Sequence, residues 1–437
     1  MQRILSTQLP AHIGETVRLA GWVHRRRLLK SVAFLIVRDR AGLSQVVVTD
    51  PGVRAQIEAV GEETAVELTG EAVANAAAPA GVEVVEPLVR VLGATAEPPP
   101  FDLFRPELGA TLPTQLDHAS LSLRHATRAS ALRVSAAAVA GFRSTLDGLG
   151  FVEVHTPKIV ASSTESGANV FAIDYFGRPA FLAQSPQFYK QVMVGVFERV
   201  YEVGPVFRAE PHETGRHLAQ YTSLDAELGF VEDHRDVMAV LAEVIRGMVA
   251  ATGLPAALPA EFPALHFTEA LKIAGAPPDE PDSVSSPVRR VAGTRRDEQG
   301  PVDLAPAHER AVGEWALAEH GSDVVFVTGY PAAKRPFYTH PDPTRPGYTN
   351  GFDLLFRGVE LVTGGQRLHR YEDYVAALAA RGEPLAPYES YVEAFRHGMP
   401  PHGGFAIGLE RFVARLTGAA NVREVTAFPR DRHRLTP

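Results

Sequence analysis

Three consecutive prolines, Pro98, Pro99 and Pro100, follow Glu97 and can continue neither a helix nor a central strand, so the chain must divide there. With the loop-like residues up to Leu123 they predict a hinge. We expect a first domain over 1–104, a linker over 105–125 and a second domain over 126–437. The length of 437 residues agrees, because it exceeds what one small core needs. Ahead of the prolines, residues 17–25, 32–38, 43–49, 65–72 and 82–91 are short β-rich runs separated by Gly, Pro, Asp and Asn. Five such strands fit a small barrel.

Behind the hinge, Leu132, Ala136, Val139, Phe142, Leu146 and Leu149 recur at spacings of three and four, which predicts one amphipathic helix over 128–150. Phe151 to Val154 then read as a strand stopped by Pro157. Further on, strand-like and helical stretches mix without the alternation of a parallel sheet. The second domain is therefore expected to be α+β, an antiparallel sheet flanked by helices. Residues 275–301 are polar and Pro-rich, and an insertion is expected within about 252–325.

Composition narrows the chemistry. With no cysteine, disulfides, thiolate zinc sites and thiol nucleophiles are excluded together, leaving oxygen, nitrogen or a hard metal ion. The net charge of -8 argues against a nonspecific polyanion binder, though not against a local basic face. There is no apolar run of about 18 residues and no charged-then-apolar leader at Met1, so no membrane partner and a cytoplasmic location are expected. No glycine-rich phosphate loop follows a strand, so a nucleotide would have to be held by side chains.

Three blocks read as a set: the helix and strand up to Pro157; Phe207-Arg208-Ala209-Glu210 with Arg216-His217-Leu218; and Gly403-Gly404-Phe405-Ala406-Ile407-Gly408-Leu409-Glu410-Arg411. Their order resembles motifs one, two and three of the class II aminoacyl-tRNA synthetases. With the ending FPRDRHRLTP and the N-terminal barrel, the chain looks most like the archaeal-type aspartyl-tRNA synthetases. Arg208 offers a planar fork for an α-phosphate, Glu210 can accept the exocyclic amine of adenine, and Tyr221 supplies an aromatic face. His217 and Arg411 resemble the family's groups at the γ-phosphate and the far side of the adenine. Arg216, Leu218 and Gly408 complete the expected ATP site, and Gly403, Gly404 and Gly408 are expected to let backbone approach the nucleotide. Gln220 stands where similar sequences carry Glu, and no role is assigned to it. Taken singly, each of these residues reads equally well as a surface ion pair or a turn glycine.

The resemblance also implies magnesium on Glu360 and the Thr363 hydroxyl, bridging the ATP phosphates. Asp353 is open between support for the metal and a plain strand-end carboxylate. Arg208, Arg411 and Glu360 are the expected catalytic residues. Gln184-Ser185-Pro186-Gln187-Phe188-Tyr189-Lys190-Gln191 is similar to the aspartate enzymes' pattern, so Lys190 and Arg367 would meet the carboxylate of L-aspartate. Neutral asparagine would leave two cations unpaired there. Glu165 would meet the α-ammonium, and Gln187 and Asp225 complete the expected pocket.

The first domain resembles the family's OB-fold anticodon-binding barrel, which reads unstacked bases. Phe34 is the expected stacking residue, with core packing as its alternative, and Gln45 the expected edge reader. Arg25, Arg26, Arg27 and Lys30 would contact phosphates. His24 and Pro79 replace a Trp and a Lys typical of strict relatives, which implies relaxed reading of the third anticodon base: tRNA(Asp) and also tRNA(Asn) would be charged. A downstream amidotransferase and a homodimer formed through the first motif would then be partners. The competing readings are a strictly tRNA(Asp)-specific enzyme, an asparagine or lysine synthetase, a noncatalytic RNA-binding paralogue, and an amide-forming relative lacking the barrel.

Overall fold

Alternation along the first five strands decides the barrel. In the computed structural model, which describes residues 1–94, 96–162, 170–210, 214–276 and 303–436, these strands are β1 (Thr16–Leu28), β2 (Ala33–Arg38), β3 (Leu43–Val48), β4 (Ala65–Ala74) and β5 (Val82–Val91). They close in the order β1-β2-β3-β5-β4, with β4 returning to β1. Val17, Leu19, Ala33, Leu35, Val37, Val46, Val48 and Leu68 fill the interior, as a period of two requires. One irregularity matters. Val23 pairs with Val37 but Arg25 with Ile36, so His24 is an extra residue that reverses the phase of the strand.

The chain forms two compact units, Met1–Ala129 and Ser130–Pro437. In the second, β6 (Val152–Glu153) starts the large sheet, while β7 (Ile159–Val160), β8 (Ala172–Tyr175) and β9 (Arg178–Leu182) form a small sheet in the order β7-β9-β8. The large sheet continues with β10 (Arg199–Phe207), β11 (Gln220–Gly229), β12 (Ala264–His266), β13 (Val324–Thr328), β14 (Gly351–Phe356), β15 (Val359–Gln366) and β16 (His402–Gly408). Its eight strands run β12-β13-β14-β15-β16-β11-β10-β6, antiparallel except for the outermost pairs β6–β10 and β12–β13. The expected fold class, an OB barrel followed by an α+β domain, is what the chain adopts.

The long helix spans Ala126–Gly148, but its buried stripe is Ala131, Val134, Ala138, Phe142 and Leu146. Ala136 is exposed and Leu132 and Val139 are half-buried, so the predicted face is rotated. The reason is close packing by small residues. A Cβ on Gly141 would lie 2.6 Å from the carbonyl oxygen of Gly247 in the helix His234–Thr252, so only glycine permits this crossing. Residues 264–276 and 303–320, inside the stretch expected to hold an insertion, supply β12 and the helices Phe267–Ile273 and Pro306–His320, which share a core with β13, at the end of that stretch, and with β14.

Candidate active site and anticodon face

The pocket is built from a helix and three neighbouring strands. On the helix Gln187–Phe197, Lys190 is only 1% exposed, and its Nζ donates to Asp225 Oδ1 at 3.0 Å and to the Phe405 carbonyl at 3.2 Å. It also lies 3.3 Å from Glu227 Oε2. Glu227 stands two residues after Asp225 on β11, hence on the same face. Its other oxygen accepts from Arg367 Nε at 2.9 Å, while Arg367 also donates to the Gly404 carbonyl at 3.0 Å. Two buried cations are thus balanced by two buried carboxylates, with Glu227 bridging the cations. Burial alone would raise the Glu227 carboxyl, but Arg367 and Lys190 overcome it and hold the group below the ordinary range. Ser223 donates to the second oxygen of Asp225. Glu165 lies outside the described residues.

Two of the three glycines singled out on β16, Gly403 and Gly404, serve the protein's own packing. A Cβ on Gly404 would collide with Glu227 Oε2, and one on Gly403 would lie 2.7 Å from the Gly365 carbonyl oxygen. Both are therefore demanded by the protein's own packing, the first by the bridging carboxylate. Gly408, where a Cβ would find its nearest neighbour 3.9 Å away on Arg411, is not crowded at all.

Behind the pocket lies a fully buried polar network. Gln187 Nε2 donates to Gln191 Oε1 at 2.9 Å, and Gln191 Nε2 reaches Tyr374 Oη at 3.0 Å and His402 Nε2 at 2.9 Å. Burial lowers the His402 imidazole to about 4 despite the attraction of Glu227. An unfolded histidine titrates near 6.5, so between about pH 4 and 6.5 the unfolded chain binds more protons than the native one. Unfolding free energy should therefore rise with pH across that window by about 3 kcal/mol from this residue, an increment fully lost below about pH 4. Denaturant titrations of wild type and His402→Gln at pH 4.5 and 7 check it; equal pH slopes would refute the assignment.

A second group lies between the end of β10 and β15. Arg208 follows β10, its backbone N–H donates to Ala219 O at 2.9 Å, and its Nη1 lies 3.7 Å from Glu210 Oε1. The guanidinium carbon stands 5.9 Å from the centre of the Tyr221 ring. Arg216 grips Glu309 with both terminal nitrogens at 3.1 Å, and Glu309 also accepts the Glu360 backbone N–H at 2.8 Å. Arg411, on the helix Leu409–Thr417, reaches the Glu360 carbonyl at 3.2 Å and carboxylate at 3.4 Å. His217 Nδ1 is 2.6 Å from Thr214 Oγ1. The Leu218 side chain is buried in the main core, so its backbone is the part left to meet a nucleotide. Gln220 is exposed.

Positions three apart on a regular strand face opposite ways. On β15, Leu354 pairs with Val362 and Leu355 with Glu360, so Leu361 is an extra residue, and the accessible side chains flanking it are Glu360 and Thr363. Burial would raise the Glu360 carboxyl, but Arg411, Arg335, Arg216 and Arg208 keep it below the usual range. An ionised carboxylate and a hydroxyl brought together this way fit magnesium, which keeps several waters and takes phosphate oxygens for the rest of its shell. Among the described residues no cluster of three or more His, Cys, Asp or Glu could hold a metal alone. Asp353 is engaged elsewhere: Arg335 binds it through two nitrogens at 3.0 and 2.8 Å.

In the barrel, the bulge at His24 turns Arg25 and Arg27 outward, and Arg26 instead binds the carbonyls of Ile57 and Glu58 at 3.1 and 2.9 Å. Arg26 thereby closes the helix Pro51–Glu58 and is not a free phosphate contact. Phe34 points out of the barrel core, pairs across the ladder with Arg27 and Val47, and has the Arg27 guanidinium 5.9 Å from its ring centre. Core packing is therefore not its role. Gln45 faces the same way, its amide held by Glu83 at 2.9 Å; Asn75 shares that carboxylate at 2.8 Å and ties in the loop that carries Pro79. His24 is half-buried with no hydrogen bond at Nδ1, and burial, then Arg38, lower its basicity.

Glu227, Glu309, Gln191 and His402 were not singled out in the sequence. Glu227 carried a usable signal, its spacing of two from Asp225; Glu309, 93 residues from Arg216, carried none.

Comparison with known proteins agrees with this geometry. Residues 111–432 match the model of class II tRNA synthetases (D, K and N), and residues 17–92 match that of the OB-fold nucleic acid binding domain. A protein of Deinococcus radiodurans called aspartate–tRNA(Asp/Asn) ligase is 46% identical over 446 residues, covering 100% of this chain and 99% of its own. A protein of Thermus thermophilus with the same name is 44% identical, covering 100% of both. Asparaginyl-tRNA synthetase from Pyrococcus horikoshii, solved with asparaginyl-adenylate, superposes with a TM-score of 0.87 at 28% identity over 100% of both chains. Aspartyl-tRNA synthetase from Entamoeba histolytica does so with a TM-score of 0.83 at 28% identity, over 100% of this chain and 93% of its own. Asparaginyl- and aspartyl-tRNA synthetases alike thus superpose on this chain, and with a family model spanning most of its length the chain belongs to the class II tRNA synthetases of the D, K and N group.

Proposed function

We propose that the chain is an aspartate–tRNA ligase that charges both tRNA(Asp) and tRNA(Asn). The buried set of Lys190 and Arg367 balanced by Asp225 and Glu227 carries the reading. A substrate carboxylate can accept from both cations, whereas an amide would turn its own N–H₂ donors toward one of them. The names of the relatives from D. radiodurans and T. thermophilus support the same substrate and the relaxed tRNA choice.

The reaction needs no protein nucleophile. The α-carboxylate of aspartate, ionised at neutral pH, attacks the α-phosphorus of ATP and pyrophosphate leaves. Arg208 would bind the α-phosphate with its fork, Glu210 and Tyr221 the adenine, and Arg216, His217 and Arg411 the far phosphates and ring. Magnesium, held by Glu360 and Thr363, would supply charge neutralisation at the phosphate oxygens. The 3′-OH of the tRNA then attacks the aspartyl carbonyl and AMP departs. Arg25, Arg27, Phe34 and Gln45 form one outward face suited to unstacked bases and phosphates, and the hydrogen-bonded loop near Pro79 borders it.

The test is aspartylation of pure tRNA(Asn) transcript. We expect an efficiency within about tenfold of tRNA(Asp), a discrimination of about 1.4 kcal/mol or less. A gap of several orders would leave a strict tRNA(Asp) enzyme instead. Charging of tRNA(Asn) would also call for an amidotransferase to convert the product, and a cytoplasmic location is inferred with these partners. A homodimer is supported by the exposed apolar side chains of Ile159 and Tyr175, which share a surface cleft with Pro157. Sedimentation should give twice the 47.2 kDa chain mass, and an active monomer would refute it.

A further inference from the structure

The polar network behind the pocket has its directions set by two backbone carbonyls, which can only accept. Tyr374 Oη donates to Leu368 O at 2.8 Å, so its oxygen must accept from whatever else faces it. His402 Nδ1 lies 2.9 Å from Pro400 O, so the proton of the neutral ring is on Nδ1 and Nε2 is the acceptor. Both neighbours therefore require a donor from Gln191, which turns its amide nitrogen toward them. Gln191 Oε1 is left as a pure acceptor and receives Tyr391 Oη at 2.8 Å and Gln187 Nε2 at 2.9 Å. The nitrogen end of Gln187 is consequently turned into the network, and its oxygen is the other end. Gln187 precedes Lys190 by three positions on one helix, so the two share a face.

We propose that His402 is a positioning residue for amino-acid recognition: through Gln191 it holds the Gln187 amide with its oxygen toward the pocket, where it accepts from the substrate's α-ammonium. Without the acceptor at His402, one Gln191 N–H is left unmatched and only Tyr374 and Tyr391 still orient that amide, so Gln191 holds Gln187 less firmly and the Gln187 amide can turn its nitrogen toward the ammonium. The neutral state of the imidazole agrees, because a protonated ring would oppose two donors. The inference rests on the aspartate activation proposed above and deepens it.

The experiment is aspartate-dependent ATP–pyrophosphate exchange with succinate, which is aspartate without its ammonium, as a competitive inhibitor. His402→Phe keeps a ring stacked on Phe395, now 5.8 Å away, but has no acceptor. It should raise the KM for aspartate by about ten- to a hundredfold, the cost of an unmatched buried polar group, and leave the succinate Ki within about twofold. Gln191→Met should reproduce that split, which guards against a phenylalanine variant that folds poorly. His402→Gln, whose Oε1 can take the place of Nε2, should restore near wild-type values. Parallel loss of aspartate and succinate affinity, or an unchanged aspartate KM, overturns the inference alone. A wild-type protein without aspartate-dependent exchange would instead overturn the function on which it rests.

Discussion

Lys190→Met is expected to reduce aspartate-dependent pyrophosphate exchange by about 10⁴-fold, mostly as a rise in the KM for aspartate. The lysine is buried against Asp225, Glu227 and the Phe405 carbonyl, so no water can replace its charge. Removing it leaves Arg367 as the sole cation beside two carboxylates. An approaching aspartate side chain then meets a site that is negative overall, whereas the intact set is neutral. The free protein should lose stability as well, by about 3–5 kcal/mol, because an uncompensated carboxylate stays buried. The KM for ATP should stay within about twofold, since the arginines that face Glu360 are untouched. A variant that kept aspartate activity within about tenfold would remove the basis for assigning the substrate from this cluster.

What was legible in the sequence follows from how local each signal is. The barrel strands could be read because a period of two and turn residues are written within a few positions. The interior valines and leucines fall where that alternation puts them. The long helix was also legible, but its face was not, because the buried side is marked by Ala131, Ala138 and Gly141, which a reading by large apolar side chains passes over. Lys190, Asp225 and Arg367 could be named from motif blocks. Their neutralisation by Glu227 could not, since a bridge between two cations is a property of three segments in space. The bulge at His24 shows the same limit in the barrel. Four basic residues in one run looked equivalent, yet one extra residue sends Arg25 and Arg27 outward while Arg26 caps the carbonyl end of a helix. Glu309 is further still from local reading: it joins Arg216 to the backbone of Glu360 from a helix within a stretch that sequence alone suggested was inserted.

Arg208→Ala should lower the turnover of exchange by about 10³-fold with little change in the KM for aspartate, the reverse of the Lys190 pattern. The guanidinium would act on charge that develops at the α-phosphorus, and binding that appears only then is lost from kcat. Three neighbours surround it. Its backbone N–H is tied to Ala219, Glu210 stands 3.7 Å from one nitrogen, and the Tyr221 face lies 5.9 Å from its centre. A lysine carries the same charge but has no fork with which to span two phosphate oxygens, and its ammonium holds water more tightly. Arg208→Lys should therefore recover no more than about tenfold of the loss, whereas a simple requirement for positive charge would return nearly all of it. Full recovery would mean that a point charge suffices, and the geometric account of this arginine would fail. Partial recovery, with the aspartate KM unmoved, would separate the two clusters functionally: Lys190 and its carboxylates choose the amino acid, and Arg208 with its neighbours drives the phosphorus chemistry.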